Sequence, residues 1–277
     1  MHWQTTRFRI DLTRPRVMGI VNLTPDSFAD SGATLDARAA LAHCEALLRD
    51  GADLLDIGAE SSRPGAQPVS LRDELDRLLP VLAGALTLGC PVSVDTVKAE
   101  VMRHVLVRGA DIVNDIQALR GEGALQVIRD HPGCGVCLMH MRGDPATMQA
   151  RPMRADEAVD AVASFLRERV QALRDAGVSS ERIVVDPGIG FGKSAPANLE
   201  LLRRQRELLA IGQPLLVGWS RKSTLGELTG RPVGERQSAS VAAALAAVLA
   251  GASVLRVHDV AATVDALAVW RAAGLVA

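Results

Sequence analysis

Charged and amide side chains stand at the ends of short apolar runs along this chain, and their types divide into two chemistries. The positions are Asn22, after Val17-Met18-Gly19-Ile20-Val21, then Asp56 with Glu60, Asp95, Asn114 with Asp115, His140 and Asp186. Lys222, in Trp219-Ser220-Arg221-Lys222, and Arg256 with His258 complete the series. One set suits anionic oxygen. Glu60-Ser61-Ser62-Arg63-Pro64-Gly65 places two hydroxyls beside a guanidinium, held by a Pro-Gly turn, and such a group matches a phosphate. A capped solvent loop would have the same composition. Arg256 and His258 fall on one face at strand spacing. Together these segments could grip a diphosphate, with Asn22 offering an oxygen to Mg²⁺.

The second set is Asp95, Asn114, Asp186 and Lys222. A carboxylate matches a 2-amino/N3–H pair of a planar heterocycle, and a lysine donates to a ring carbonyl. The plainer alternative is an internal Lys222–Asp186 salt bridge. Asp and Asn after a strand also cap helices and make turns. Eight such positions in register are more than capping requires. Asp186-Pro-Gly-Ile-Gly-Phe-Gly-Lys193 has the glycines of a phosphate loop but not its spacing. Cys134-Gly-Val-Cys137 has no second pair to complete a zinc site and reads as inert thiols. Aromatics are scarce, with four Phe, three Trp and no Tyr, so Phe28, Phe191 and Trp219 in Gly- or Pro-bearing loops stand out.

The elements that position these groups follow from periodicity. Eight runs rich in Val, Ile or Leu read as buried parallel strands: Val17–Val21, Asp53–Ile57, Pro91–Val94, Asp111–Val113, Val136–Met139, Ile183–Val185, Pro214–Val217 and Ser253–Val257. Helical patterns separate them. The clearest is 156–176, where Val159, Val162, Leu166, Val170 and Leu173 make one apolar face; another opens at Ser70 with a capping-box start. The alternation predicts an α/β fold, a single (β/α)8 barrel domain over 1–277. A doubly wound sheet fits less well. Arg7–Leu12, closed by Thr13-Arg14-Pro15, is expected to form a short N-terminal hairpin under the barrel. Ligands of such folds bind at the carboxyl ends of the strands, where the polar positions fall.

Composition removes other classes. A net charge of −1 and a pI near 6.6 provide no field for nucleic acid or an anionic membrane. The longest apolar run, Val241 to Leu255, is Ala-rich and too short to span a bilayer. The opening Met1-His2-Trp3-Gln4 lacks a signal-peptide pattern, and the four cysteines suit a reducing compartment. The expectation is a cytoplasmic protein.

The motifs taken together resemble the dihydropteroate synthases, a family of pterin-binding enzymes. The resemblance rests on Asn22-x-Thr-Pro-Asp-Ser-Phe28, Glu60-Ser-Ser-Arg-Pro-Gly65, Ser93-Val-Asp-Thr96 and Asn114-Asp115. Leu138-Met-His-Met141, Asp186-Pro-Gly-x-Gly-Phe191, Arg221-Lys-Ser223 and Arg256-Val-His-Asp259 extend it. It runs from about Val17 to Asp259 and is specific as an ensemble. It implies a TIM barrel that joins 6-hydroxymethyl-7,8-dihydropterin diphosphate to 4-aminobenzoate, giving 7,8-dihydropteroate and diphosphate in folate synthesis.

The resemblance also implies site residues. Asp95, Asn114, Asp186 and Lys222 would bind the pterin, with Arg256 over the ring. Asn22 with Mg²⁺, Ser62, Arg63, Arg256 and His258 would hold the diphosphate. Phe28, Asp30 and Pro64 would close over aminobenzoate, in a slot lined by Phe191 and Ser223 that sulfonamides would share. Ser62 stands where Thr is more frequent, Ser31 where Gly is common, and Asp144 for a usual Thr. The implied mechanism is dissociative, with Arg63 and His258 stabilising the departing diphosphate and Asp30 and Asp95 near the pterin cation. Two other readings use the same barrel. A corrinoid-linked methyltetrahydrofolate methyltransferase has no use for a diphosphate grip, and a non-catalytic pterin-binding paralogue would be expected to lose loop groups that are intact here. Gln237–Ala250 is apolar on most of its surface, which points to a homodimer through the last helices.

Overall fold

The computed structural model describes residues 1–23, 33–63 and 65–276. Phe28, Asp30, Ser31 and Pro64 therefore lie outside the described residues. The chain begins with an antiparallel hairpin of β1 (His2–Gln4) and β2 (Arg9–Asp11). Eight parallel strands then close a barrel: β3 (Arg16–Asn22), β4 (Leu54–Gly58), β5 (Val92–Asp95), β6 (Ile112–Asp115), β7 (Gly135–Met139), β8 (Ile183–Asp186), β9 (Leu215–Val217) and β10 (Ala252–Val257). β10 pairs with β3 to complete the ring. All eight expected strands are present, most of them reaching a residue or two beyond the apolar run, so that Asn22, Asp95, Asp115 and Asp186 end strands.

Helices α1 (Ala33–Arg49), α2 (Leu71–Ala85), α3 (Ala99–Val107), α4 (Ala124–Asp130), α5 (Ala155–Asp175), α6 (Ala195–Arg203), α7 (Gln205–Leu208), α8 (Ser223–Thr229) and α9 (Gln237–Leu249) lie in the crossovers, and α10 (Val260–Ala272) follows β10. Ser70 caps α2 as its spacing predicts, accepting the Asp73 N–H. Among the described residues no helix is long and apolar enough to cross a membrane.

Strand parity decides where the chemistry sits. Residues such as Val17, Leu55, Val92, Val94, Val113, Leu138, Val185 and Val257 belong to the apolar layer shared with the helices. The alternate residues Met18, Leu54, Ile112, Cys137, Val184, Leu216 and Val254 form a separate cluster inside the barrel. Two positions further along the same parity come Asp56, Asn114, Asp186 and Arg256. The interior therefore changes from apolar to charged one side-chain layer above its floor.

The hairpin closes that floor. Trp3 is fully buried among the inner residues with Ile10 and Leu12, and its indole N–H donates to the Arg182 carbonyl at 2.9 Å. The structure corrects the expected bounds of this hairpin. Its first strand is His2–Gln4, its turn is held by the Thr5 hydroxyl donating to the Phe8 carbonyl at 2.9 Å, and Thr13-Arg14-Pro15 instead leads into β3. All four cysteines are free and buried. Burial pushes the Cys134 thiol up to about 12, so the CxxC pair is part of the packing.

Candidate active site

At the carboxyl ends of the strands, Arg256 on β10 reaches to two carboxylates. Its Nε donates to Asp56 Oδ2 at 2.6 Å and its Nη2 to Asp95 Oδ2 at 3.0 Å. Asn114 on β6 donates from Nδ2 to the same Asp56 oxygen at 3.1 Å. Asp56 is fully buried. Burial pushes the Asp95 carboxyl up to about 7, while Arg256 pulls it down and Asp56 pushes it further up. The two carboxylates hold the Arg256 guanidinium charged, against its desolvation. Arg256 is thus tied at the base of the site by two ion pairs.

Across the barrel, Asp186 ends β8 and its Oδ1 accepts the Gly188 N–H at 2.7 Å. Burial raises its pKa, opposed by that bond and by Lys222. The glycines that follow serve close backbone contact. Gly188 has φ +67°, and a Cβ there would lie 2.0 Å from the His140 carbonyl oxygen. Lys193 runs beneath this loop and donates from Nζ to the carbonyls of His140 at 3.1 Å, Gly188 at 2.8 Å and Phe191 at 3.1 Å. The string of glycines is a clamp between the loops after β7 and β8.

Lys222 precedes α8, and its Nζ lies 4.3 Å from the centroid of the Phe191 ring, a cation–π distance. Burial pushes its amine down to about 8, with Asp186 and Asp95 pulling upward and Arg256 adding to the fall. Among the described residues Lys222 closes no salt bridge with Asp186, so the plainer alternative for this pair is not what forms. The turn carrying Lys222 is strained: Arg221 has φ +60°, unusual for a bulky residue. Ser240 accepts its N–H at 2.9 Å, Asp259 binds its guanidinium at 2.6 Å, and Arg236 donates to its carbonyl at 3.2 Å.

On the remaining side stand Asn22 at the end of β3, Ser62 and Arg63 on the loop after β4, Ser220 after β9, Ser223 at the start of α8 and His258 after β10. Glu60, at the root of the β4 loop, pairs with Lys98, which also donates to the buried Glu74 at 2.6 Å. Asn22, Ser62, Arg63, Asp95, Asn114, Asp186, Phe191, Lys222, Ser223, Arg256 and His258 all line one cavity of about 460 Å³, a size suited to a small molecule. Every expected site residue that is described therefore meets there.

Sequence reasoning missed Asp56 as an anchor, Ser220 beside His258, the Lys193 clamp and the Lys98 tether, and it did not weigh Met148 and Gln149, which also line the cavity. Asp56 left a signal, a carboxylate between Leu55 and Ile57 on the inward parity. Asp144 makes a turn by accepting the Thr147 N–H and hydroxyl, each at 2.8 Å. No group of three His, Cys, Asp or Glu able to hold a metal exists among the described residues. Asn22 contributes one neutral oxygen. That donor set fits a hard cation carried mainly by a bound diphosphate, and does not fit a metal held by the protein alone.

The pterin binding enzyme family model matches residues 18–258. A dihydropteroate synthase of Neisseria meningitidis serogroup B is 50% identical over 99% of this chain and 98% of its own. The solved structure of a Xanthomonas albilineans dihydropteroate synthase with 4-aminobenzoic acid superposes with a TM-score of 0.90 at 49% identity, covering 97% of this chain and 96% of that one. A Yersinia pestis dihydropteroate synthase in a sulfonamide drug complex reaches a TM-score of 0.92 at 42% identity, over 99% of both chains. With strand ends, cavity lining and whole-chain similarity in agreement, the chain belongs to the dihydropteroate synthase family of pterin-binding enzymes.

Proposed function

We propose that the cavity binds 6-hydroxymethyl-7,8-dihydropterin diphosphate and 4-aminobenzoate and joins them into 7,8-dihydropteroate. The observation that carries the reading is the meeting of heterocycle-reading groups and anion-binding groups around one cavity. Asp186 keeps Oδ2 for the 2-amino/N3–H edge while Gly188 occupies Oδ1. Asn114 and Asp95 take the other ring polar atoms, and Lys222 donates to the ring carbonyl. Arg256, pinned by Asp56 and Asp95, lies between pterin and diphosphate. Ser62, Arg63 and His258 bind the diphosphate.

The chemistry follows from charge. The C9–O bond breaks, and its electron pair leaves with the diphosphate, where Arg63 and His258 meet the developing charge. The pterin ring delocalises the cation left at C9, and Asp95 faces it, with Asp30 assigned the same role. The aniline nitrogen of aminobenzoate supplies its lone pair to C9 and then loses a proton. Asn22 would hold Mg²⁺ together with the diphosphate oxygens, and the ion when bound neutralises phosphate charge. Phe191 flanks the aminobenzoate ring, the Ser223 hydroxyl binds its carboxylate, and Phe28 and Pro64 close the slot. A sulfonamide presents the same aniline and a sulfonyl in place of that carboxylate.

Purified protein is expected to release diphosphate only when pterin diphosphate, 4-aminobenzoate and Mg²⁺ are all present, and a sulfonamide should compete with aminobenzoate. Asn22→Ala should raise the Mg²⁺ concentration needed for half activity more than it weakens pterin binding. Turnover in EDTA, or inhibition that aminobenzoate does not relieve, would contradict these assignments.

Lys222→Met is expected to weaken pterin binding at least tenfold, roughly the contribution of one hydrogen bond from a charged donor, without lowering the melting temperature of the ligand-free protein. The environment disfavours the charged amine. Its folded pKa of about 8 lies below 10.5, so the cost is full below pH 8 and fades as pH climbs towards 10.5. Any thermal advantage of the variant should shrink over that window. Melting curves and calorimetric titration read both effects.

We further propose a homodimer through α9 and α10. These helices pack together and leave Leu249, Val269 and the following Leu275 exposed, an apolar edge that a second copy would cover. Light scattering should return twice the chain mass at micromolar concentration, and a monomer there would refute it.

A further inference from the structure

The turns after β9 and β10 are laced together at two successive residues. Ser220 Oγ lies 2.9 Å from His258 Nδ1 and accepts the His258 backbone N–H at 3.1 Å. One residue along, Arg221 donates to Asp259 at 2.6 and 3.2 Å. The second contact holds the two turns in register beside the serine and the imidazole. Ser220 is itself buried.

Hydrogen accounting then decides which ring nitrogen carries the proton. A serine hydroxyl has one proton to donate and two lone pairs to accept. The His258 N–H uses one lone pair. If Nδ1 also donated to Oγ, the buried hydroxyl proton would have no acceptor among the described residues, an arrangement buried polar groups avoid. If Oγ–H donates to Nδ1, both partners are satisfied and Nε2 keeps the proton. Burial and the positive charges of Arg256, Arg221 and Lys222 push the ring down to about 3, with only Asp259 opposing, so it is neutral at pH 7.

We propose that Ser220 is a positioning residue that locks His258 in the Nε2–H form, so the imidazole presents a donor to a phosphate oxygen in the cavity. The opposite tautomer would point a lone pair at that anion. The phosphate part of this inference rests on the reaction proposed above. The tautomer does not.

Imidazole nitrogen NMR of the ligand-free protein tests it directly. Of the six histidines, His258 is assigned by its loss in His258→Gln. The expected spectrum shows a bare Nδ1 and a protonated Nε2, a mixture of tautomers in Ser220→Ala, and recovery in Ser220→Thr, which keeps the hydroxyl. Titration with inorganic diphosphate should show about tenfold weaker binding to Ser220→Ala, the scale of one hydrogen bond to a charged group, with a melting temperature lowered only by the loss of the Ser220 bonds to His258 and recovery of both in Ser220→Thr. A proton on Nδ1 in the parent, or the same spectrum in Ser220→Ala, overturns the positioning role. Equal diphosphate affinity in parent and Ser220→Ala overturns the donor role. The spectra require no substrate, so a failed synthase assay leaves the tautomer result decisive by itself.

Discussion

Arg256 reaches from the last barrel strand past β3 to carboxylates on β4 and β5, and the charged layer of the barrel is organised around that contact. A guanidinium partly removed from water needs partners to offset its desolvation, and Arg256 finds them in Asp95 and in the buried Asp56, which also accepts from the Asn114 amide. Each partner alone would be costly, since removing one member of a buried pair costs about 3–5 kcal/mol. The contact also has a consequence for the cavity. It fixes a cation that lines the cavity beside both groups of polar side chains, so in the proposed reading the heterocycle and diphosphate sites share a wall.

The loops above this layer are held by backbone carbonyls as much as by side chains. Lys193 satisfies three of them, Arg236 another three, and Gly188 lets the β8 loop approach His140 closely. The strain at Arg221 is offset by ordered partners on three sides. Rigid support of this kind is what places Phe191 under Lys222 at 4.3 Å.

Much of this was legible in the sequence for a simple reason. A parallel strand covered on both faces is a continuous apolar run, so Asp56, Asp95, Asn114, Asp186 and Arg256 stand out as interruptions, and barrel geometry brings such interruptions to one end. Other features were hidden because they depend on partners far along the chain. Asp56 anchors a residue 200 positions away, and the Lys193 amine binds a carbonyl 53 residues back. The Asp56 carboxylate is visible on the inward parity but its distant partner is not, and the glycines beside Lys193 suggest a phosphate loop instead. The first hairpin strand has only three residues, of which Trp3 alone is buried, too little periodicity to mark it. Asp30 and Pro64 are named through the family resemblance alone, Phe28 also as a rare loop aromatic, and all three lie outside the described residues.

Whether Asp56 acts on the ligand through Arg256 can be read from a double-mutant cycle on pterin diphosphate affinity. Calorimetric titration would compare the parent, Asp56→Asn, Arg256→Met and the double variant. If the guanidinium is the link, Asp56→Asn weakens binding at least tenfold in the parent, on the scale of one charged hydrogen bond, and has little further effect once Arg256 is Met. An equal loss in both backgrounds would show that the two residues act independently, and the buried ion pair would not be the basis of the site.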